Sequence, residues 1–196
     1  MIMGKATGPT FIVPYRRRRE NKTNFQKRLA LIKADAPRLV VRATNKSIIA
    51  QIIKFDAKGD ITLVSANSAE LESKGWLAQA NTPTAYLTGI LVAKKALSSG
   101  IKQFHLDIGM ANASKGRILF ATAIGAKSCG IQINVDDELV DQSRLRGVHI
   151  SEYAKNIESK DKSKYDKLFS RYTKKKIDVK NLPAVFDKTR EALMSG

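Results

Sequence analysis

Between Pro37 and Ser65 the chain reads PRLVVRATNKSIIAQIIKFDAKGDITLVS, with two runs rich in Val and Ile, Leu39 to Ala43 and Ile48 to Phe55, followed by a third, Ile61 to Ala66. Side chains branched at Cβ are stiff at χ1 and fit a pleated surface, so the three runs predict strands. Thr44, Asn45, Lys46 and Ser47 supply turn chemistry between the first two. Asp56 to Asp60, with Gly59, does the same before the third. The pattern is an antiparallel meander. On its first strand Arg38, Val40 and Arg42 share one face while Leu39 and Val41 point the other way. A sheet with one side in the core and one side lined with guanidinium groups is expected.

Upstream, residues 1 to 22 carry Gly4, Gly8, Pro9, Pro14 and four consecutive arginines without helical or strand period. They predict an extended arm that becomes ordered on a partner. Thr23, with Gln26 three residues later, opens a helix by the capping-box pattern, and Phe25, Leu29 and Ile32 form its apolar side. Pro37 ends it. After the meander, residues 67 to 81 read as a loop with a candidate short helix at Ser68 to Ser73, anchored on the core by Trp76.

Asn81 and Pro83 start a helix that runs to about Ser99, with Tyr86, Ile90, Ala93 and Leu97 on one stripe. A short strand, Gln103 to Ile108, follows, and the strand, helix, strand order requires a crossover and a parallel pair. A second apolar helix, Arg117 to Cys129, leads to a candidate last strand, Ile131 to Val135. From Asp136 an acidic-capped helix and a loop precede a lysine-rich stretch, Ser151 to Lys180, in which Tyr165, Leu168, Phe169 and Tyr172 recur at helical spacing. Pro183 begins a final turn or helix holding Phe186 and Leu193. The expected fold is a layered α/β domain whose mixed sheet, the three-strand meander plus one or two further strands, is packed by helices. It divides into a basic arm, 1–22, a core, 23–135, and a basic, mostly helical extension, 136–196.

Charge sharpens this. The 196 residues hold 35 Lys and Arg against 18 Asp and Glu, a formal net charge of +17. Residues 1 to 55 carry 13 basic and 2 acidic groups, residues 56 to 140 carry 8 of each, and residues 141 to 196 carry 14 and 8. A neutral middle between two basic ends is the footprint of a nucleic-acid binder, because cations that neutralise phosphates release condensed counterions. A basic membrane-surface helix would pair its cations with Trp, Phe and Leu on one side, which the arm does not do. The candidate RNA contacts are Arg16, Arg17, Arg18, Arg19, Lys22, Lys27, Arg28, Arg38, Arg42 and, at the hairpin tip, Asn45 and Lys46.

No apolar run approaches the roughly 20 residues that span a bilayer, and the N-terminal residues lack the apolar stretch of a secretory signal. Cys129 has no second cysteine to pair with, and the two histidines are far apart, so neither a disulfide nor a zinc framework is expected. These features predict an intracellular protein with no metal, cofactor, membrane or small-molecule substrate.

One enzymatic alternative rests on Asp107. A carboxylate near the end of an α/β strand, followed by Gly109, is where such folds place catalytic acids, and with Asp56, Asp60 or Glu70 it makes a metal-dependent nuclease with an RNase-H-like core. The competing role is to anchor the loop from Gly109 to Gly116, and no spacing forces a second acid to converge on it. That loop is no Walker loop, since Ser114 stands where a second Gly is needed. His105 reads as a packed or surface residue, Cys129 as a small core residue, and His149 as a loop neighbour of Arg144 and Arg146. Gly89 reads as a point of close helix packing.

The run VPYRRRRENKTNFQKRLALIKADAPRLVVRATNKSIIAQIIKFDAKGD, then Gly75-Trp76, NTPTAYLTG from Asn81, LDIG from Leu106 and RGVHI from Arg146, resembles large-subunit ribosomal protein eighteen of the archaeal type, whose eukaryotic relative is large-subunit protein five. The resemblance spans the chain to about Ile150. It implies a non-enzymatic, cytoplasmic protein of the ribosome that binds 5S rRNA and helps seat it beside 23S rRNA and neighbouring large-subunit proteins. It also assigns the arm and first hairpin, from Arg16 to Lys46, to 5S rRNA.

Overall fold

The computed structural model describes residues 8–195. Four strands form one mixed sheet in the order β3-β2-β1-β4: β1 (Arg38–Ala43), β2 (Ile48–Lys54), β3 (Ile61–Asn67) and β4 (His105–Asp107). The meander is antiparallel, with Arg38 opposite Ile53 and Ala43 opposite Ile48, while β4 lies parallel to β1 with Leu39 beside Leu106. Between Ile52 and Ile53 the register shifts, so Leu63 is an extra residue in β3, a bulge at the sheet edge. Further along that edge the Lys95 ammonium donates to the Ser65 carbonyl at 3.0 Å.

Ile131 to Val135, the candidate last strand, is not one. Gln132 makes only a single parallel bridge to Gln103. The arm, expected to be extended throughout, contains a short helical turn, α1 (Arg16–Arg19), and its described residues before that turn, from Gly8, are irregular. Gly4 lies outside the described residues.

The helices are α2 (Phe25–Lys33), α3 (Thr82–Ser98), α4 (Ile118–Lys127), α5 (Gln142–Leu145), α6 (Val148–Lys160), α7 (Lys162–Leu168), α8 (Ser170–Lys174) and α9 (Leu182–Ser195), with a 3₁₀ segment at Ser68–Lys74. The cap of α2 is Asn24, whose side chain accepts from the Lys27 amide, rather than Thr23. Asn81 caps α3 as expected, accepting from the Thr84 amide at 3.0 Å. Asn67 and Glu70 form a reciprocal capping box on the 3₁₀ segment.

Leu39, Val41, Ile48, Ala50, Ile52, Val64 and Ala66 point from the sheet into one buried core, where α3 and α4 cover them. The two helices cross at backbone contact. A Cβ added to Gly89 would lie 2.0 Å from the Thr122 carbonyl oxygen, and one on Gly125 would lie 2.1 Å from that of Tyr86. Trp76 is 1% exposed, and its indole N–H donates to the Thr84 hydroxyl at 2.8 Å.

Residues beyond 136 join the same core. Phe186 on α9 meets Trp76 edge to face and Tyr86 at a tilt, with ring centroids 6.0 and 5.6 Å apart, and Leu145, Ala154, Phe169, Tyr172 and Leu182 are buried with them. At about 1.5–3 kcal/mol for each large apolar side chain buried, these contacts stabilise the domain as a whole. Among the described residues no helix is long and apolar enough to cross a membrane.

Candidate nucleic-acid interface

The outer side of the sheet carries Arg38, Val40 and Arg42 on β1, Ile49, Gln51 and Ile53 on β2, and His105 and Asp107 on β4. Among the described residues no helix packs down on it as α3 and α4 do on the inner side. Helix α2 crosses it near β4, and no residue of α2 is buried. Between α2 and the sheet runs a cleft of about 530 Å³, bordered by Arg17, Lys22, Lys27, Arg28, Arg38 and Arg42.

Arg38 does not stand on an open guanidinium face, contrary to the pattern-based expectation. It is 4% exposed. One guanidinium nitrogen donates to the Asp107 carboxylate at 2.6 Å and another to Asp60 at 2.8 Å. Its Nε has no partner among the described residues. Asp60 also accepts from Arg28, whose Nη2 reaches both carboxylate oxygens at 2.9 and 3.0 Å. Two acids and two arginines thus fasten α2 to the start of β1, to the turn before β3 and to β4. The pairs are sheltered, with Asp107 side-chain exposure at 16%, so the charges depend on one another.

The remaining candidates differ in how free they are. Arg16 and Lys22 both pair with Glu20, at 2.9 and 2.8 Å. The Lys22 and Arg16 contacts, with Arg17 and Arg19 nearby, hold the Glu20 carboxyl below the usual carboxylate range. Arg17 donates to the Thr23 hydroxyl at 2.8 Å. Arg18, Arg19, Lys27 and Arg42 are exposed, and their side chains make no hydrogen bond or ion pair among the described residues. At the hairpin tip, Thr44 and Ser47 build the turn through mutual bonds of 2.8 to 3.0 Å, which leaves Asn45 and Lys46 exposed between them.

The structure also adds an apolar companion that the charge pattern did not single out. Phe11, Ile12, Val13 and Tyr15 of the arm are exposed, and the Tyr15 ring sits 5.6 Å from Phe25 of α2. The signal was present in the sequence as FIVPY directly before the arginines. His149, expected in a loop, lies in the first turn of α6.

Asp107 does anchor its loop, accepting from the Gly109 amide at 2.9 Å, and its other oxygen is held by Arg38. Asp60 and Asp107 therefore converge, but on a guanidinium group. Among the described residues no group of three or more His, Cys, Asp or Glu is placed to hold a metal ion. A firm scaffold that offers unpaired cations along one open side and has its nearest carboxylates tied to arginine defines a basic α/β binding protein.

Residues 10–102 match the family model described as "Ribosomal large subunit proteins 60S L5, and 50S L18". The chain is 44% identical over 193 residues to the Large ribosomal subunit protein uL18 of Sulfurisphaera tokodaii, covering 97% of this chain and 98% of that one. The proteins of the same name from Metallosphaera sedula and Saccharolobus solfataricus are 43% and 42% identical, each over 97% of this chain and over 98% and 96% of their own. The chain belongs to the uL18 family of large ribosomal subunit proteins, a family of structural proteins and not of enzymes. The nuclease reading of Asp107 is thereby overturned, and the Arg38 pairing supplies the physical reason for the converging acids.

Proposed function

We propose that this protein is a structural constituent of the large ribosomal subunit in the cytoplasm, where it binds 5S rRNA and helps attach it to 23S rRNA and to neighbouring subunit proteins. The observation that carries this reading is the segregation of free cations onto the arm, the α2 cleft and the hairpin tip, along the side of the sheet that α3 and α4 do not cover. Arg18, Arg19, Lys27, Arg42 and Lys46 contact phosphates directly, joined by Arg16, Arg17 and Lys22 once RNA competes with Glu20 and Thr23. Asn45 offers an amide to a base edge or a 2′-hydroxyl. Arg28 and Arg38 act mainly by holding α2 against the sheet, with outward nitrogens of Arg28 available at the cleft mouth.

Affinity then comes chiefly from phosphate neutralisation and selectivity from RNA shape. Replacing Arg16, Arg17, Arg18 and Arg19 with Ala should weaken 5S rRNA binding and lower the slope of log K against log salt by about 0.7–0.9 for each phosphate no longer neutralised. A filter-binding titration reads both quantities. An unchanged slope removes the arm from the interface, and failure of the intact protein to co-sediment with large subunits removes the ribosomal assignment.

A further inference from the structure

Helix α3 carries an apolar stripe that its neighbours cover only in part. Tyr86, Ile90 and Ala93 are buried, as their spacing predicts, but Leu97, next on the same stripe, is 40% exposed. Helix α9 meets this end of α3, where the Lys94 ammonium donates to the Met194 carbonyl at 2.9 Å. Beside that contact lies a groove of about 490 Å³ with Leu91, Leu97, Ala192 and Leu193 as its floor.

The rim of the groove is positive. Lys74, the exposed last residue of the 3₁₀ segment, makes no side-chain hydrogen bond or ion pair among the described residues. Lys94 has its carbonyl contact but no acid, and Lys95 is held by Glu70 at 2.6 Å. No Asp or Glu is among the described residues that line the groove. Leucines ringed by ammonium groups reproduce the apolar centre and polar rim of a protein interface. RNA fits the groove poorly: no aromatic ring lines it for a base to stack on, and burying a phosphate against leucine costs its hydration. A second copy of this chain, with a net charge of +17, would meet the rim with like charge.

The α3 residues that face the groove, Leu91, Lys94, Lys95 and Ser98, follow the repeat of one helical side. The groove therefore follows the axis of α3 for about 10 Å, and an occupant that lies along it with an apolar stripe of matching repeat is a helix. The groove shares no residue with the α2 cleft, and α3 lies on the inner side of the sheet.

We infer that this groove is a docking site for an acidic amphipathic helix of a partner protein, which seats leucine-like side chains between α3 and α9 and sets its carboxylates against Lys74 and Lys94. The inference goes beyond the RNA reading and does not rest on it.

The test titrates the isotope-labelled full chain with a synthetic peptide of about 14 residues, four helical turns, that carries leucines one turn apart on one side and glutamates beside them. It should bind with a Kd below about 1 mM and move the amide resonances of Leu91 to Ser98 and Ala192 to Met194. A peptide of equal charge with serine in place of leucine should bind at least about tenfold more weakly, which separates docking from plain attraction to a basic protein. Lys74→Glu with Lys94→Glu should weaken the glutamate peptide at least about tenfold and accept a lysine version of it instead. Leu97→Asp should remove the preference for leucine over serine. Lys74→Glu alone, at an exposed position away from the α9 contact, should give a smaller loss in the same direction.

The inference is overturned if the leucine and glutamate peptide does not bind, if it shows no preference over the serine peptide, or if the shifted amides lie elsewhere. It also falls if an RNA hairpin of equal charge displaces the peptide equally well, or if the groove variants weaken 5S rRNA binding by more than about twofold, the limit expected for a surface outside the RNA interface. Should 5S rRNA fail to bind the intact protein while the peptide occupies the groove, the proposed function falls and this docking site stands.

Discussion

Arg38 shows how one side chain can be taken out of an interface and still shape it. Its guanidinium is buried between Asp60 and Asp107, and losing it leaves two sheltered carboxylates facing each other. Arg38→Met should destabilise the fold by about 3 kcal/mol, the cost of breaking a buried pair, measured as a shift of the urea midpoint. Asp60→Asn should cost less, because Asp107 still holds Arg38, but it also frees Arg28 and with it α2. That variant should bind 5S rRNA more weakly than its stability loss explains. His149 makes a different prediction at the same scale. Burial, with Arg144 beside it, pushes its pKa below the ordinary 6.5, against the opposing pull of Glu152 and Asp141.

Its Nδ1 is buried without a partner among the described residues. The folded form therefore binds fewer protons than the unfolded chain, so the stability His149 contributes is present above about pH 6.5 and is lost as pH falls through the folded value. The melting temperature should drop as pH falls below about 6.5, and His149→Gln should flatten that part of the drop. A profile unchanged by the substitution would assign the acid sensitivity to other groups.

At the level of elements, the crossing of α3 on α4 is the least forgiving contact in the fold. Both glycines that permit it meet main-chain carbonyls, which cannot rotate away as a side chain tip can. Gly89→Ala and Gly125→Ala should each destabilise the protein by about 3 kcal/mol, near the upper end for overpacking, whereas Ala93→Gly should cost only about 1 kcal/mol, mostly through helix propensity. Thermal melts of the three variants decide this. Gly89 could be read from the chain as a close-packing point because it sits inside a long apolar helix.

Its counterpart Gly125 gave no separate signal. Other elements divide the same way. The meander was legible because strand period and turn residues are local, and α3 because Asn81 and Pro83 mark its start. Ile131 to Val135 looked like a strand, yet strand formation depends on a free neighbouring edge, and only Gln132 finds one. Thr23 and Asn24 are both good caps, and only the geometry chose Asn24. The burial of Arg38 was illegible because its partners lie 22 and 69 residues away.

For the whole molecule, the uneven charge was plain from counting, and its placement was not. The counts assigned the cations to the two ends of the sequence, and folding gathers those of the first end along the arm, the α2 cleft and the hairpin tip. The exposed Tyr15 and Phe25 rings, 5.6 Å apart, lie beside those arginines. Replacing Tyr15 with Ala should reduce 5S rRNA affinity with no change in salt slope, since a ring contributes contact area or stacking and no charge. A slope that fell together with affinity would mean that the ring acts only by orienting the arginines. The C-terminal helices were expected as an extension, but Phe186 inserts between Trp76 and Tyr86, so the interior is shared.

That insertion bears on biogenesis. A polypeptide emerging from its N-terminus exposes the indole of Trp76 and the ring of Tyr86 long before α9 is synthesised to cover them. Until the last helix arrives, that aromatic surface stays uncovered, so the fold closes only once synthesis has nearly reached its end.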